Sequence, residues 1–228
     1  MVNWPYHPEL LATPVPRYTS YPTAAEFDDT VGSADLSAAL AGVEGDAPVS
    51  LYLHIPYCHE ICWYCGCNTG AANRAKRLAA YLEALEAEVE LVAARLAGRG
   101  RPTRIAFGGG SPNAIGPQDF LRLLARVRAA FGEAPISIEL DPRSLSDEWL
   151  EAIGAAGATM ASLGVQTLED HVQRAIGRVQ PRDEVERAAA GLRRASVASL
   201  NFDLMYGLPG QTRADLEATL AAAIVMRP

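Results

Sequence analysis

Positive charge is the minority charge in this sequence: 20 Lys and Arg stand against 27 Asp and Glu, a formal net charge of −7. General nucleic-acid binding needs a basic surface to displace counterions from phosphate, so that class is excluded. No apolar run approaches the ~18–20 residues of a membrane span. The opening residues, Met1-Val2-Asn3-Trp4-Pro5, have neither the basic stretch nor the apolar core of a secretory signal. Cysteine is scarce as well: there are four, all between Cys58 and Cys67. Disulfides gain stability by closing long loops, and cysteines crowded this tightly close almost none. A disulfide scaffold is therefore excluded, and the crowding suits a metal or a cluster. What remains is a packed cytoplasmic protein, with 49% hydrophobic and 21% charged residues.

Residues 1–48 are rich in Pro, Ala and Asp and read as an extended N-terminal arm, broken by a short helix over Ser33–Ala41. Regular alternation begins at Val49. Residues 49–55 read as a strand. Residues 73–97 read as a helix, because Leu78, Tyr81, Leu82, Leu85, Val89, Val92 and Leu96 recur at three- and four-residue steps. The unit then repeats. A strand at 104–107 ends in Gly108-Gly109-Gly110-Ser111, and Pro117 opens a helix that Gly132 stops. Ile136–Leu140 is a third strand, followed by a helix capped by Ser146. Residues 159–165 form a fourth strand with a helix behind it, and residues 182–195 are helical. Residues 199–206 form a fifth strand, and Thr212 caps the last helix. Alternating β and α elements predict an α/β fold with a parallel sheet and right-handed crossovers. Five strands are too few for a closed eight-stranded barrel, which leaves a partial barrel or a doubly wound sheet. In either, chemistry collects where strands end. The predicted strand ends carry the cysteines, the glycines, Glu139 with Asp141, Gln166, and Asp203 with Tyr206.

The cysteine segment reads Cys58-His59-Glu60-Ile61-Cys62-Trp63-Tyr64-Cys65-Gly66-Cys67. Three thiolates on one short loop can hold three irons of a four-iron cluster, leaving the fourth open to a small molecule. Zinc is the alternative. It usually takes a second, separated pair of ligands, and no further cysteine exists in the chain. Tyr57, Trp63 and Tyr64 either shield a cluster from water or pack beneath the loop.

A C-x3-C-x2-C motif after the first strand of a β/α sheet resembles the radical S-adenosylmethionine superfamily. Further motifs narrow the resemblance. They are the arm at residues 16–24 (Pro-Arg-Tyr-Thr-Ser-Tyr-Pro-Thr-Ala), the Cys65-Gly66-Cys67 step and the glycines followed by Ser111-Pro112. Ile138-Glu139-Leu140-Asp141-Pro142, Gly164-Val165-Gln166 and Asp203-Leu204-Met205-Tyr206-Gly207 complete the series. In this order they resemble the oxygen-independent coproporphyrinogen III oxidases.

That resemblance implies a partial β/α barrel over residues 49–228. It implies one 4Fe-4S cluster on Cys58, Cys62 and Cys65, and a catalytic Cys67 outside the cluster. It implies S-adenosylmethionine held by Tyr52, Gly109, Gly110, Ser111, Glu139, Gln166, Arg178 and Asp203. Glu139 would accept from the ribose hydroxyls, and the arm's Arg17 and Tyr18 would either touch an anionic tetrapyrrole or brace the barrel mouth. Read without the family, Arg178 is a helix-surface charge, and the glycines are a tight turn. The implied reaction is oxidative decarboxylation of coproporphyrinogen III, in a monomer served by an electron donor and an electron acceptor. The sequence stops after the fifth β/α unit, so a sixth strand and a C-terminal helical domain are expected to be absent. The alternatives are a related haem chaperone and an inactive cluster-binding fragment.

Overall fold

The computed structural model describes residues 26–228. The arm motif at residues 16–24 lies outside the described residues. The chain divides into two compact units, Met1–Gly42 and Val43–Pro228. In the first, helix α1 spans Ser33–Ala41 as expected, and Asp35 closes its start by accepting the Gly32 N–H at 2.8 Å.

The second unit is built on five parallel strands: β1 (Pro48–Ile55), β4 (Arg101–Gly109), β5 (Ile136–Leu140), β6 (Met160–Gln166) and β7 (Ser199–Leu204). They lie side by side in chain order, so each pairs with the next long strand to be made. A second, unexpected pair is β2 (Tyr57–Cys58) with β3 (Gly70–Ala71), also parallel. It ties the neck of the cysteine loop. Helices α2 (Ala75–Leu96), α3 (Pro117–Phe131), α4 (Asp147–Ala156), α5 (Asp170–Ala175), α6 (Arg182–Arg194) and α7 (Arg213–Met226) fill the connections. Alternation of β and α in a parallel sheet with sequential order gives the expected partial β/α barrel.

Local chemistry sets the boundaries. Ser146 Oγ accepts the Trp149 N–H at the start of α4. Thr212 and Asp215 cap α7 reciprocally. The strand expected at 104–107 extends through both flanks to Arg101–Gly109, because β1 offers a full-length partner on one side. The strand expected to reach residue 206 ends at Leu204, where β6 also ends.

The sheet has two unlike faces. Ile105, Phe107, Ile136, Ile138, Leu163 and Val165 are all but inaccessible and point at the helices. There they meet Phe120, Leu124, Trp149, Ile153, Val185 and Leu192. The other set of alternate residues includes Tyr52, Arg104, Glu139, Ser162 and Asn201. These line a groove of about 470 Å³ on the opposite face. The apolar core is thus one layer between sheet and helices, and the polar face is left for ligands. Among the described residues, no helix is long and apolar enough to cross a membrane.

Candidate active site

The cysteine loop leaves β1 after Pro56 and returns through β3. Its ends are fixed by Gly70 N–H to Pro56 O at 2.9 Å and Ala72 N–H to Cys58 O at 2.8 Å. Inside it, Cys65 N–H bonds Cys62 O at 3.1 Å, which makes a tight backbone turn between the two cysteines. Trp63 N–H bonds Ile176 O at 3.0 Å, docking the loop on the end of α5. The three aromatics divide their tasks. Tyr57 is buried and meets Tyr81 edge-on at 5.4 Å. Tyr64 packs on Val172, Ile176 and Leu208. Trp63 lies over Gly177 but stays 77% exposed.

None of the four cysteines is in a disulfide. Burial pushes the Cys58 thiol above its ordinary value, the Thr69 hydroxyl draws it down, and nearby Cys65, Asp141 and Cys62 push it up again. Cys62 and Cys65 therefore lie close enough to Cys58 to act on it electrostatically. Their spacing is informative. Zn–S bonds of ~2.3 Å bring tetrahedral ligands within roughly 4 Å of one another. Among the described residues, the group of three whose ligand atoms all lie within 4.8 Å is Glu169, His171 and Asp215, not the thiols. The thiols do not form such a group among the described residues. Glu169, His171 and Asp215 are a surface group in which Asp215 already caps α7.

The glycine segment runs beneath the loop. Ser111 N–H bonds Tyr57 O at 2.8 Å and Gly110 N–H bonds Ile55 O at 2.9 Å. A Cβ on Gly110 would strike Thr69 Oγ1, come 2.7 Å from Tyr57 O and lie 3.0 Å from Cys58 Sγ. Gly109 has φ +117°, a conformation that glycine adopts freely. The bare backbone here lets the strand approach the thiols, which goes beyond a tight turn. Ser111 faces the other way. It is 5% exposed and donates to Asn113 Oδ1 at 2.5 Å. Asn113 in turn donates to Asp141 O at 2.8 Å and accepts the Asp141 N–H at 3.0 Å. Ser111 and Asn113 therefore lock the glycine segment to the end of β5.

Tyr52, Glu139 and Cys67 gather beside the glycines. A Cβ on Gly108 would lie 2.7 Å from both Tyr52 Oη and Glu139 Oε2. Burial raises the Glu139 carboxyl above its ordinary value, the Gly109 N–H lowers it, and Asp203 raises it again. Burial also raises the Tyr52 phenol, with further contributions from Glu139 and Cys67. Cys67 is exposed. Asp203 is held by the Ser162 hydroxyl at 2.7 Å and the Asn201 amide at 2.8 Å. Gln166 adopts φ +63° at the end of β6, and its amide flanks Gly164 together with Arg178.

Arg178 departs most from a reading of the bare sequence. It is not a helix-surface charge but a loop residue, 6% exposed, between α5 and α6. Its guanidinium donates to Gly164 O at 2.6 Å, Gln180 Oε1 at 3.1 Å and Asp141 Oδ1 at 3.2 Å, and points at Cys62 Sγ from 3.3 Å. Burial alone would raise the Asp141 carboxyl. Hydrogen bonds from Arg143 and the charges of Arg178 and Arg143 outweigh burial and hold it below the ordinary range. Sequence reasoning gave no task to Arg143, Asn113, Gln173 or Gln180. Gln173 joins the Thr167 and Gln180 carbonyls, and Gln180 bonds Val165 O, all out of solvent.

Donors, thiols and bare backbone thus meet at the carboxyl ends of neighbouring strands. Two guanidiniums aimed at one thiol suit an anionic thiolate cluster, and the glycine cradle leaves room beside Cys58.

The Radical SAM superfamily profile matches residues 52–223. The chain is 42% identical over 94% of its length to an oxygen-independent coproporphyrinogen III oxidase of Bradyrhizobium diazoefficiens, covering 48% of that protein. It is 37% identical to the Escherichia coli enzyme of that name, over 93% of this chain and 47% of that one. The solved structure of coproporphyrinogen III oxidase from Escherichia coli superposes on 98% of this chain and 51% of its own, with a TM-score of 0.86 and 34% identity. A radical S-adenosylmethionine methyltransferase from Kitasatospora setae shares the fold alone, at a TM-score of 0.56 and 16% identity. The chain therefore spans about half the length of the curated relatives it matches. With the profile covering three of its four quarters and a solved member superposing on 98% of it, the chain belongs to the radical SAM superfamily.

Proposed function

We propose that this chain serves the anaerobic oxidative decarboxylation of coproporphyrinogen III to protoporphyrinogen IX in haem biosynthesis. The observation that carries this reading is the 42% identity to an oxidase of that name across 94% of the chain. The thiol group beside the glycine cradle supports it independently.

Cys58, Cys62 and Cys65 would hold a 4Fe-4S cluster, three thiolates on one short loop serving three of its irons. When bound, the cluster and S-adenosylmethionine supply a 5′-deoxyadenosyl radical, an oxidant able to take hydrogen from a propionate side chain. The protein binds, orients and shields. Glu139 would accept from ribose hydroxyls, and Tyr52 Oη, like Glu139 Oε2, lies against Gly108. Carbonyls of the Gly109-Gly110 segment would be open to the ammonium of the methionyl part, since glycine brings no side chain. Ser111 positions that segment through Asn113. Gln166 and Asp203 lie at neighbouring strand ends, and Arg178, its fork already held by Asp141 and Gly164 O, would contribute positive charge beside an anionic ligand. Cys67 stands exposed near Tyr52, where a thiol can give or take a proton at Sγ. The polar groove at Tyr52 and Glu139 is of a size to admit part of a small-molecule substrate. An electron donor and an electron acceptor are the implied partners, and the assignment is to a cytoplasmic monomer.

The test is anaerobic reconstitution followed by assay with excess reductant and an electron acceptor. Four irons per chain and reductant-dependent 5′-deoxyadenosine are expected, together with protoporphyrinogen IX when coproporphyrinogen III is present. A chain that takes up iron but yields neither product would overturn the reading.

A further inference from the structure

Arg143 lies in the 3-10 turn Pro142–Ser144 that follows β5. The functional reading above gives it no role, yet its side chain is only 10% exposed. Its planar fork ends on three groups. Nε donates to Asp141 Oδ1 at 3.1 Å and Nη2 to Asp141 Oδ2 at 2.7 Å. Nη1 donates to Glu60 Oε2 at 2.9 Å, and Nη2 also stands 3.6 Å from Cys62 Sγ. One side chain thus ties two residues of the cysteine loop to the end of β5, which lies 83 residues further along the chain.

Arg178 reaches the same two anchors from the other side, with Nη1 3.3 Å from Cys62 Sγ and 3.3 Å from Asp141 Oδ2. Cys62 therefore faces two guanidiniums, with the Asp141 carboxylate bridging them, and it is 8% exposed. Among the described residues, the polar contact on Cys58 Sγ is the Thr69 hydroxyl, at 3.4 Å. Among the described residues neither guanidinium reaches Cys58 or Cys65 within bonding distance. The three thiols are not equivalent, and the positive charge is concentrated on one of them.

We infer that Arg143 is a positioning residue that fixes Cys62 against Asp141 and, with Arg178, raises the electron affinity of the cluster at that thiolate. This rests on the cluster assignment of the preceding subsection. N–H donors and positive charge at a ligating sulfur favour the reduced, more negative cluster, and such bonds are one of the protein's means of setting a cluster potential. The low exposure at Cys62 keeps water from screening the effect. Lysine cannot replace the fork, because one ammonium cannot span Asp141, Glu60 and Cys62 together.

The experiment is a redox titration of the reconstituted full chain, as wild type, Arg143→Gln and Arg143→Lys, with iron content and thermal melts measured in parallel. Arg143→Gln is expected to keep its iron while its midpoint potential moves to more negative values. At one fixed ambient potential the ratio of reduced to oxidised cluster falls about tenfold, a shift of ~59 mV for one electron. Arg143→Lys keeps the charge without the fork and falls between the two. Glu60→Gln supplies a second arm should Arg143→Gln not fold. Glu60 is 73% exposed, and removing its charge leaves Arg143 less neutralised, so the potential moves in the opposite, less negative direction. Variants that hold full iron at the wild-type potential would overturn the inference. A wild-type chain that takes up no four-iron cluster overturns the cluster assignment instead, and the two failures are told apart by iron content alone.

Discussion

Asp141 and Arg178 meet with 3.2 Å between Oδ1 and Nη2, although 37 residues separate them in the chain. The pair joins the end of β5 to the loop beyond α5, and both side chains are nearly inaccessible, at 12% and 7%. Removing one member of such a pair strands the other's charge away from water. Asp141→Asn is therefore expected to cost about 3–5 kcal/mol at pH 7, read from denaturant unfolding. The folded-state pKa of Asp141 lies below its unfolded value. Its contribution is thus present above about pH 4 and is lost as the pH falls through the folded value. The gap between wild type and Asp141→Asn should narrow on acidification below pH ~4. A gap that stays constant would show that the carboxylate's charge is not what matters.

Glu139 has the opposite sign. Its folded-state pKa is raised, first by burial, so its favourable contribution is full below its unfolded value and is lost as the pH rises through the folded one. At neutral pH its charge opposes folding. Glu139→Gln is expected to melt no lower than wild type at pH 7, with any advantage vanishing by pH ~4. The same variant should bind S-adenosylmethionine at least about tenfold more weakly in calorimetry, a loss of ~1.4 kcal/mol. A variant that melts lower and binds normally would reduce Glu139 to a structural acid.

For the thiols, alanine at Cys58, Cys62 or Cys65 should abolish iron uptake and the visible absorbance of the reconstituted chain. Cys67→Ala should leave iron content nearly unchanged. Full iron retention in Cys62→Ala would count decisively against the cluster assignment.

Gly110 is a steric test of the same site. The backbone oxygen of Tyr57, 2.7 Å from an added Cβ, belongs to the pair of short strands and has little freedom to yield. Gly110→Ala should destabilise the chain by about 1–3 kcal/mol, as overpacking does. It should also lower iron occupancy by displacing Cys58. Unchanged melting and iron content would mean that the cradle is looser than its geometry indicates.

Some of this architecture is legible in the residues themselves. Pro117 and Gly132 bracket a helix found at Pro117–Phe131, and the apolar segment Ile136–Leu140 is a strand of those bounds. These signals are local: a fixed φ, a permissive glycine, an alternation of apolar side chains. Strands β2 and β3 were not legible, because two residues carry no period. Nor was the burial of Arg178, whose partners Asp141 and Cys62 lie 37 and 116 residues away. Arg143, Asn113 and Gln180 were missed for the same reason. The spacing of the cysteines is visible in sequence, but the charges that surround them are assembled only by the fold. One signal was available for Arg143: an acid that ends a strand, then a proline, then an arginine, can form a turn whose side chain folds back on the acid.

The sequential strand order bears on how the protein is made. Each long strand pairs with the long strand that precedes it, so a chain leaving the ribosome adds one β/α unit at a time and needs few distant contacts. The cysteine loop is an exception: the Cys62 partner Arg178 is synthesised 116 residues later. The thiols therefore emerge early into a cell that can oxidise or mis-metallate them, and their buried charged surroundings come late. Nascent chains arrested after α6 should protect Cys62 from a thiol-alkylating reagent, and chains arrested at the end of β5 should not. Equal alkylation of both would show that the loop is sealed by its own neck before the rest of the barrel exists.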